Sequence, residues 1–279
     1  MDSLDVKYEK LKELIKEKGK NGVVVAFSGG VDSSTLAAVA YAVLGEKVVA
    51  VTAKSPTYPR EEVEAAEEVA KEIGIKWYTI ETNELTNTKF TKNPENRCYY
   101  CKKELLTKLV ETAHTLGFEA VFEGTNFSDL SDHRPGFKAV KEAANVYSPW
   151  VESGFTKQEI RSVAKKLGLS VENKPPLACL ASRIPYHQKI TEEKLRRVEK
   201  AEQTIKEIAK IRQLRVRDHN GLARIEVAKD EMDNVLDMNI LDEISVRLKM
   251  IGFRYVALDA EGYRSGSLLK SKNTITSSK

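Results

Sequence analysis

The fold is decided by residues 22–34, which read GVVVAFSGGVDSS. Three valines form a short β-branched strand, glycines and serines form a tight turn, and the alanine- and leucine-rich run from Asp32 to Leu44 is typical of a helix. The turn places consecutive backbone N–H groups at the positive end of the helix dipole. Its glycines let the backbone approach an anion, and its serine hydroxyls add hydrogen-bond donors. The stretch therefore predicts a phosphate-binding loop.

This turn differs from the two common nucleotide motifs. It lacks the Lys-Ser/Thr pair of the Walker sequence and the glycine spacing of the dinucleotide sequence G-x-G-x-x-G. The residues that we expect to contact a nucleotide are Ser28, Gly29, Gly30, Asp32, Ser33 and Ser34.

Strands and helices of moderate length alternate around this loop. Strands are predicted at 48–53, 77–80 and 120–124, and helices at 4–18, 59–73, 100–116 and 156–167. Such alternation predicts an α/β fold with a parallel sheet covered by helices on both faces. Two polar stretches, 83–98 and 124–136, interrupt the rhythm. We expect them to be long loops at the carboxyl edge of the sheet, where ligands of open α/β folds bind.

A different order of elements follows an irregular, proline-rich connection at 173–190. A charged helix at 191–210 precedes two short strands, a helical region and a further strand, which predicts a smaller α+β domain. Glu199 and Glu202 are expected on the solvent-facing side of the charged helix, with a metal or an oligomer contact as the alternative. The predicted domains are residues 1–185, residues 186–270 and a disordered tail at 271–279.

The composition is typical of a soluble globular protein. Of 279 residues, 31% are charged, the mean hydropathy is −0.40, and no apolar run approaches the roughly 20 residues of a membrane span. The first residues lack the apolar core of a signal peptide, so we expect a cytoplasmic protein. The net charge is +4, and the basic excess lies wholly after residue 185. So small an excess argues against a nucleic-acid partner and favours a local site for a small anion.

The chain has three cysteines, Cys98, Cys101 and Cys179, which is too few for a disulfide scaffold. The CxxC pair is compatible with a redox pair, half of a zinc site or iron–sulfur ligands. Zinc would need a fourth ligand, and the candidates without the usual ligand spacing are His114, His133 and His187. Three thiolates suit a 4Fe-4S cluster with one iron open. Cysteines without any ligand are the remaining alternative.

The segment SGGVDSS in its strand–helix context resembles the SGGxDS loop of the PP-loop ATP pyrophosphatases. The resemblance implies transfer of AMP from Mg-ATP to a substrate oxygen with release of pyrophosphate, after which a nucleophile displaces AMP. It also implies a second nucleotide contact at Gly124, Thr125 and Asn126 and an adenine site at 52–55. Carboxylates that could hold the magnesium ion, or cap turns instead, are Asp32, Asp129 and Asp132.

Further motifs narrow the resemblance, namely RCYYCKKEL, GTNFSDLSDHRPG, PPLACLASRIPY, RVRDH and FRYVALDAEGYRSGS. With the phosphate loop they resemble, over essentially the whole chain, the ATP-dependent sulfur transferases of nickel-pincer cofactor biosynthesis, the LarE family. The resemblance implies a pyridinium mononucleotide substrate whose two carboxylates become thiocarboxylates. It further implies a sulfide source as a partner and a homo-oligomer.

Cysteine use differs within this family. Some members have one cysteine at the position of Cys179 and give up its own sulfur. Cys98 and Cys101 depart from that pattern and favour a 4Fe-4S cluster held by all three cysteines, with sulfide on the open iron. Sacrificial donation from Cys179 is the alternative.

Two arginines are candidates for a phosphate site. Arg215 and Arg217 are two residues apart, so on a strand they point to one face, where paired guanidiniums can bind a phosphate. The family resemblance makes them contacts to the substrate phosphate and adds Arg183, with Ser182, to the same pocket.

Three other functions compete with the sulfur transferase. A transfer-RNA thiolase shares the PP-loop and three cysteines, but it would need a stronger basic surface. An ammonia-using ligase of the same fold gives no role to the three cysteines. A nucleotide-binding module without catalysis would bind ATP and release no pyrophosphate.

Overall fold

A computed structural model describes residues 3–131, 135–175 and 178–264. The chain divides into two compact units. Unit 1 comprises Met1–Phe90 and Asn96–Ala178, and unit 2 comprises Thr91–Glu95 and Cys179–Lys279. The division thus falls seven residues before the predicted boundary at 185 and adds a short segment of the first polar stretch to unit 2. Asp132, His133 and the predicted tail lie outside the described residues.

Unit 1 has the predicted α/β fold. Its strands are β1 (Val23–Ala26), β2 (Val48–Lys54), β3 (Lys76–Glu81), β4 (Ala120–Phe122) and β5 (Val146–Tyr147). The helices up to residue 166 are α1 (Ser3–Lys18), α2 (Val31–Leu44), α3 (Glu61–Ile73), α4 (Thr88–Thr91), α5 (Arg97–Thr115), α6 (Pro135–Glu142), α7 (Pro149–Glu152) and α8 (Lys157–Lys166). The strands form one parallel sheet in the order β3-β2-β1-β4-β5, which confirms the predicted parallel sheet.

The three valines of β1 explain why this strand lies in the middle of the sheet. Val23 and Val25 pack into one apolar cluster with α1, α2 and α8, whereas Val24 packs into a second cluster with α5 and α6. Successive side chains of a strand point to opposite faces, so the two clusters lie on the two faces of the sheet. A strand buried on both faces needs the continuous apolar run that this sequence has.

The two polar stretches are more structured than predicted. The first contains a 3-10 turn and α4, and α5 begins at Arg97 rather than at Tyr100. The second contains a 3-10 segment at Phe127–Ser131, and α6 begins at Pro135. Both expectations of long loops were wrong in this respect, because segments of four to eight residues carry too little periodicity to be recognised. The two-residue strand β5 was missed for the same reason.

Unit 2 has the predicted α+β order, with α9 (Glu192–Ala209), β6 (Leu214–His219), β7 (Leu222–Val227), α10 (Met238–Met250) and β8 (Tyr255–Leu258). The strands β6 and β7 are antiparallel, and β7 and β8 are parallel. Thr191 caps α9, since its hydroxyl accepts the backbone N–H of Lys194 at 3.3 Å. The apolar face of the sheet packs on α9 and α10.

One further result concerns membranes. Within the part of the chain that the structure describes, no helix is both long and apolar enough to span a bilayer.

Candidate functional site

A cavity of about 330 Å³ opens in unit 1 where β1, β2 and β4 end. Parallel strands bring their carboxyl ends to one edge, which is where open α/β sheets bind ligands. The cavity is lined by Ala26, Phe27, Ser28, Gly30, Asp32, Ser33, Val51, Thr52, Ala53, Tyr58, Glu62, Val63, Lys102, Leu105, Glu123, Gly124, Thr125 and Asp129. The predicted phosphate loop and the predicted second nucleotide segment therefore meet at this cavity.

Gly29 gives the loop its shape. Its φ of +67° lies in the left-handed region that favours glycine. A Cβ at this position would lie 2.8 Å from the Cα of Ala66 in α3. Only glycine satisfies both constraints, so the loop can pass close to α3 and turn into α2.

Hydroxyl groups hold the loop against the start of α2. The Ser28 backbone N–H donates to Ser33 Oγ at 3.2 Å, and the two serine hydroxyls are 3.1 Å apart. Ser33 Oγ also donates to the Gly30 carbonyl at 3.2 Å. Ser34 differs from its neighbours because it is fully buried and does not line the cavity. Its hydroxyl has no hydrogen-bond partner within the described residues.

Asp32, in the first turn of α2, is already paired with a lysine. Its carboxylate forms an ion pair with Lys157 at the start of α8 and accepts a hydrogen bond from Asn126 at 3.2 Å. The indole N–H of Trp150 donates to the Asp32 carbonyl at 3.0 Å. The structure thus brings Asp32 of the loop together with Asn126 of the second predicted segment and places the Lys157 ammonium beside Asp32.

Lys174 is a second cation at the loop. Its ammonium donates to the Gly29 carbonyl at 3.0 Å. Neither Lys157 nor Lys174 was recognised from the sequence, because each is more than 120 residues from the loop and has no distinctive neighbours. Two lysines beside a loop built for an anion are well placed for phosphate groups.

Glu123 is a buried carboxylate at the end of β4 that sequence reasoning also missed. The Lys102 ammonium donates to it at 2.8 Å, Thr125 Oγ1 donates at 2.7 Å, and Ser148 Oγ adds a further hydrogen bond. Burial alone would raise the pKa of Glu123, but the charge of Lys102 and the hydrogen bonds outweigh burial and lower it. Glu123 is therefore an anion within the lining of the cavity. A charged residue ending a buried strand was the available sequence signal.

Gly124 and Thr125 lie between this carboxylate and the phosphate loop. A Cβ on Gly124 would be 3.2 Å from the backbone nitrogen of Ser33, so a side chain here would push the two segments slightly apart. The second segment thus contributes backbone to the cavity wall beside the start of α2.

The predicted adenine side is only partly at the cavity. Thr52 and Ala53 line it, but the Thr52 hydroxyl donates to the Phe27 carbonyl at 2.8 Å and accepts from the Trp77 indole at 2.8 Å. Ser55 is directed elsewhere, since its hydroxyl donates to the buried Glu84.

Cys98 and Cys101 lie in the first turns of α5. Cys98 is exposed, Cys101 is half-buried, and neither forms a disulfide. Cys101 Sγ lies 3.8 Å from a Glu84 carboxylate oxygen and 4.0 Å from the Tyr58 hydroxyl. Since Tyr58 lines the cavity, this thiol is one side chain removed from the cavity.

Cys179 belongs to unit 2, where it precedes a 3-10 turn at Leu180–Arg183. It is a half-buried free thiol. Arg183 donates to its carbonyl at 2.9 Å and forms a bidentate ion pair with Glu202. Glu202 is only 7% exposed, so the expectation of a solvent-facing side chain was wrong. The helical pattern of α9 could not reveal the partner, which lies 19 residues away.

The side chains of Arg215 and Arg217 point to one face of β6, as predicted, but they have different partners. Arg217 is 5% exposed and donates twice to Glu226, at 3.0 and 2.7 Å. Arg215 has no ion pair among the described residues and lies over the Tyr263 ring at 5.2 Å. Burial and the nearby charge of Arg183 lower the pKa of Arg215. Among the described residues of unit 2, Arg215 is therefore a half-buried guanidinium that forms no ion pair.

The described residues show no grouped ligand set for either the zinc or the iron–sulfur alternative. Across residues 3–131, 135–175 and 178–264, no three histidine, cysteine or acidic side chains are grouped as metal ligands. His114 lies in the last turn of α5, and His187 lies in a turn of unit 2 with a φ of +66°.

Comparison with known proteins shows which sequences this chain resembles. The profile of the NAD synthase family matches residues 4–109, which contain the phosphate loop. A Synechocystis protein of uncharacterised function is 43% identical over 95% of this chain and 97% of its own length. The NH(3)-dependent NAD(+) synthetase of Pyrococcus horikoshii is 32% identical over 60% of this chain and 66% of its own length.

A third relative covers both units. It is the pyridinium-3,5-bisthiocarboxylic acid mononucleotide synthase of Lactiplantibacillus plantarum, which is 36% identical over 88% of this chain and 88% of its own length. This likeness extends well past the segment shared with the NAD synthase family. The chain therefore belongs to the LarE family of PP-loop proteins, whose named member here is that mononucleotide synthase.

Proposed function

We propose that this protein is an ATP-dependent sulfur transferase acting on the carboxylates of pyridinium-3,5-biscarboxylic acid mononucleotide. A substrate carboxylate oxygen attacks the α-phosphorus of ATP, so that an acyl-adenylate forms and pyrophosphate leaves. Hydrosulfide then attacks the acyl carbon, the bond to AMP breaks, and a thiocarboxylate, AMP and a proton are released. The observation that carries the proposal is the phosphate loop at a cavity in a chain 36% identical to such a synthase.

In the adenylation step the phosphate loop would hold the triphosphate. Ser28, Gly30 and Ser33 line the cavity at the start of α2, where N–H groups favour an anion. Lys157 and Lys174, which now pair with Asp32 and the Gly29 carbonyl, would exchange these partners for phosphate oxygens. Magnesium carried with ATP would find carboxylates at Asp32 and Asp129.

In the second unit we assign the substrate phosphate to Arg215. Its guanidinium forms no ion pair among the described residues and lies over the Tyr263 ring. The charges of Arg183 and Arg217 act on Arg215, but each of these two arginines already binds a glutamate, so we assign neither of them a contact with the phosphate. A planar guanidinium binds a phosphate through two parallel hydrogen bonds.

For the sulfur source we propose a 4Fe-4S cluster held by Cys98, Cys101 and Cys179. The chemistry of the donors supports it, because none of the three cysteines forms a disulfide, none is fully buried, and two are three residues apart on one helix. When bound, a cluster with three protein thiolates supplies sulfide from its remaining iron. A cellular sulfide donor, a cytoplasmic location and a homo-oligomer complete the proposal.

The test is ATP–pyrophosphate exchange with the anaerobically reconstituted full chain. We expect exchange that depends on the mononucleotide, and AMP release in the presence of sulfide. Exchange without the mononucleotide would favour an amide-forming ligase that adenylates another substrate. Faster AMP release with ammonia than with sulfide would favour the same kind of ligase. Loss of the mass of one sulfur atom from Cys179 after one turnover would show that Cys179 donates its own sulfur and that a cluster is not the source.

A further inference from the structure

Residues 179–183 form a backbone turn, the Cys179 turn. Two buried arginine–glutamate pairs donate hydrogen bonds to its carbonyl groups. Both arginines reach its carbonyl groups from different elements of unit 2. Arg183 lies at the end of the turn itself, whereas Arg217 lies on β6. Each guanidinium is oriented by its own carboxylate.

The first pair is Arg183 with Glu202. Nε and one terminal nitrogen of Arg183 each donate to a Glu202 oxygen at 2.9 Å. The other terminal nitrogen donates to the Cys179 carbonyl at 2.9 Å and to Ser182 Oγ at 3.2 Å. Glu202 also accepts the Val216 backbone N–H at 3.0 Å, so its carboxylate is fixed to β6.

The second pair is Arg217 with Glu226. Two nitrogens of Arg217 donate to one Glu226 oxygen, and a terminal nitrogen donates to the Ser182 carbonyl at 3.1 Å. Arg224 donates to the other Glu226 oxygen at 2.8 Å. Glu226 is fully buried. The second guanidinium is thus as rigidly held as the first.

This arrangement fixes the backbone from which the Cys179 side chain projects. Leu180 and Ala181, between the two gripped carbonyls, are buried and cannot move outward without losing apolar contact. With the carbonyls of Cys179 and Ser182 bound and the residues between them buried, the backbone has little freedom to move the Cα and Cβ atoms of Cys179. Buried ion pairs seldom add more stability than apolar residues of the same volume, so two pairs on one turn indicate a role in positioning.

We propose that Arg183 and Arg217 are positioning residues that hold Cys179 for sulfur transfer while Arg215 binds the substrate. This inference rests on the proposed function but concerns only how the thiol is oriented. A lysine at either position would keep the charge. It would lose the planar fork that serves a carboxylate and a carbonyl together.

The variants that test it are R183K and R217K, each in the full chain, with R197K as the matched control. Arg197 is likewise largely buried and bonded twice to an aspartate of β6, Asp218, at 3.1 and 2.6 Å, but its bonds do not involve the Cys179 turn. Each variant is measured in four ways, by thermal unfolding, by ATP–pyrophosphate exchange, by kcat and KM for thiocarboxylate formation, and by the alkylation rate of Cys179 in the apoprotein.

We expect R183K and R217K to keep exchange and the KM for the mononucleotide. Their kcat for sulfur transfer should fall by roughly 10- to 100-fold, because moving Cys179 by about 1 Å would misplace the sulfur that it helps to present to the substrate. Alkylation of Cys179 should become at least about threefold faster because the turn is released. R197K should lose stability while keeping kcat and the alkylation rate.

Wild-type alkylation and kcat in both R183K and R217K would overturn the inference, and so would equal changes in R197K. If one variant does not fold, the other decides. Failure of the wild-type protein to catalyse exchange would instead count against the proposed function, so the two failures are distinct.

Discussion

Glu123 accepts a hydrogen bond from the Lys102 ammonium at 2.8 Å, although only 1% of the Glu123 side chain is exposed. The pair joins the end of β4 to the helix that carries Cys98 and Cys101. It therefore connects the wall of the nucleotide cavity with the cysteine-bearing helix, and both residues line the cavity.

The lowered pKa of Glu123 predicts a dependence of stability on pH. A carboxyl group whose pKa is lower in the folded state stabilises the fold above its ordinary value of 4.5, and this contribution is lost as the pH falls through the folded pKa. E123Q should lower the free energy of unfolding at pH 7 by about 2 kcal/mol and remove that part of the acid dependence. Denaturant unfolding at pH 7 and at low pH measures both effects.

The control is E46Q, which removes a carboxylate from an exposed pair with Lys76. Its unfolding midpoint should match that of the wild type. An E123Q protein with wild-type stability at pH 7 would show that the Lys102 pair does not stabilise the fold.

Gly29 should be indispensable for nucleotide binding. G29A adds a Cβ that would lie 2.8 Å from the Cα of Ala66, whereas G74A adds one in open space at a similarly positive φ of +76°. We expect G74A to lose about 1 kcal/mol of stability through backbone strain and to bind ATP normally. G29A should lose more stability and bind ATP too weakly for calorimetric detection. Normal ATP affinity in G29A would contradict the assignment of the loop.

Lys174 should contribute to ATP binding. K174A removes an ammonium that lies on the loop backbone, and the loss of one charged hydrogen bond of about 1.5 kcal/mol corresponds to a roughly tenfold increase in KM for ATP. The KM for the mononucleotide should not change. K165A, on the exposed side of α8, is the control and should behave as the wild type. An unchanged KM for ATP in K174A would mean that the lysine only braces the loop.

Arg215 should determine the affinity for the mononucleotide. R215Q removes the guanidinium that forms no ion pair among the described residues. The KM for the mononucleotide should therefore rise at least about tenfold while the KM for ATP stays constant. R212Q, which changes a side chain 89% exposed, is the control. A change confined to the KM for ATP would place the substrate phosphate elsewhere.

Local patterns predicted much of unit 1. The strand, loop and helix of residues 22–44 are adjacent in sequence, and their apolar and glycine pattern leaves few alternative structures. Lys157 and Lys174 were missed because only the folded chain brings them to Gly29 and Asp32. Nothing local distinguishes them from the other lysines of a strongly charged sequence.

Unit 2 illustrates a related limit. The alternation in LRVRDH correctly predicted that Arg215 and Arg217 share a face. It could not distinguish their surroundings, because the carboxylate that binds Arg217 lies on β7 and the one that binds Arg183 lies on α9. Long-range pairing of buried charges is invisible to periodicity, which reports only which residues face the core.

The most direct test of sulfur transfer is the mass of the mononucleotide after incubation with the reconstituted protein, Mg-ATP and isotopically labelled sulfide. Replacement of one and then two carboxylate oxygens by labelled sulfur, with one AMP released for each, is the predicted result. AMP release with an amide product, or an unchanged mononucleotide despite pyrophosphate exchange, would contradict a sulfur transferase.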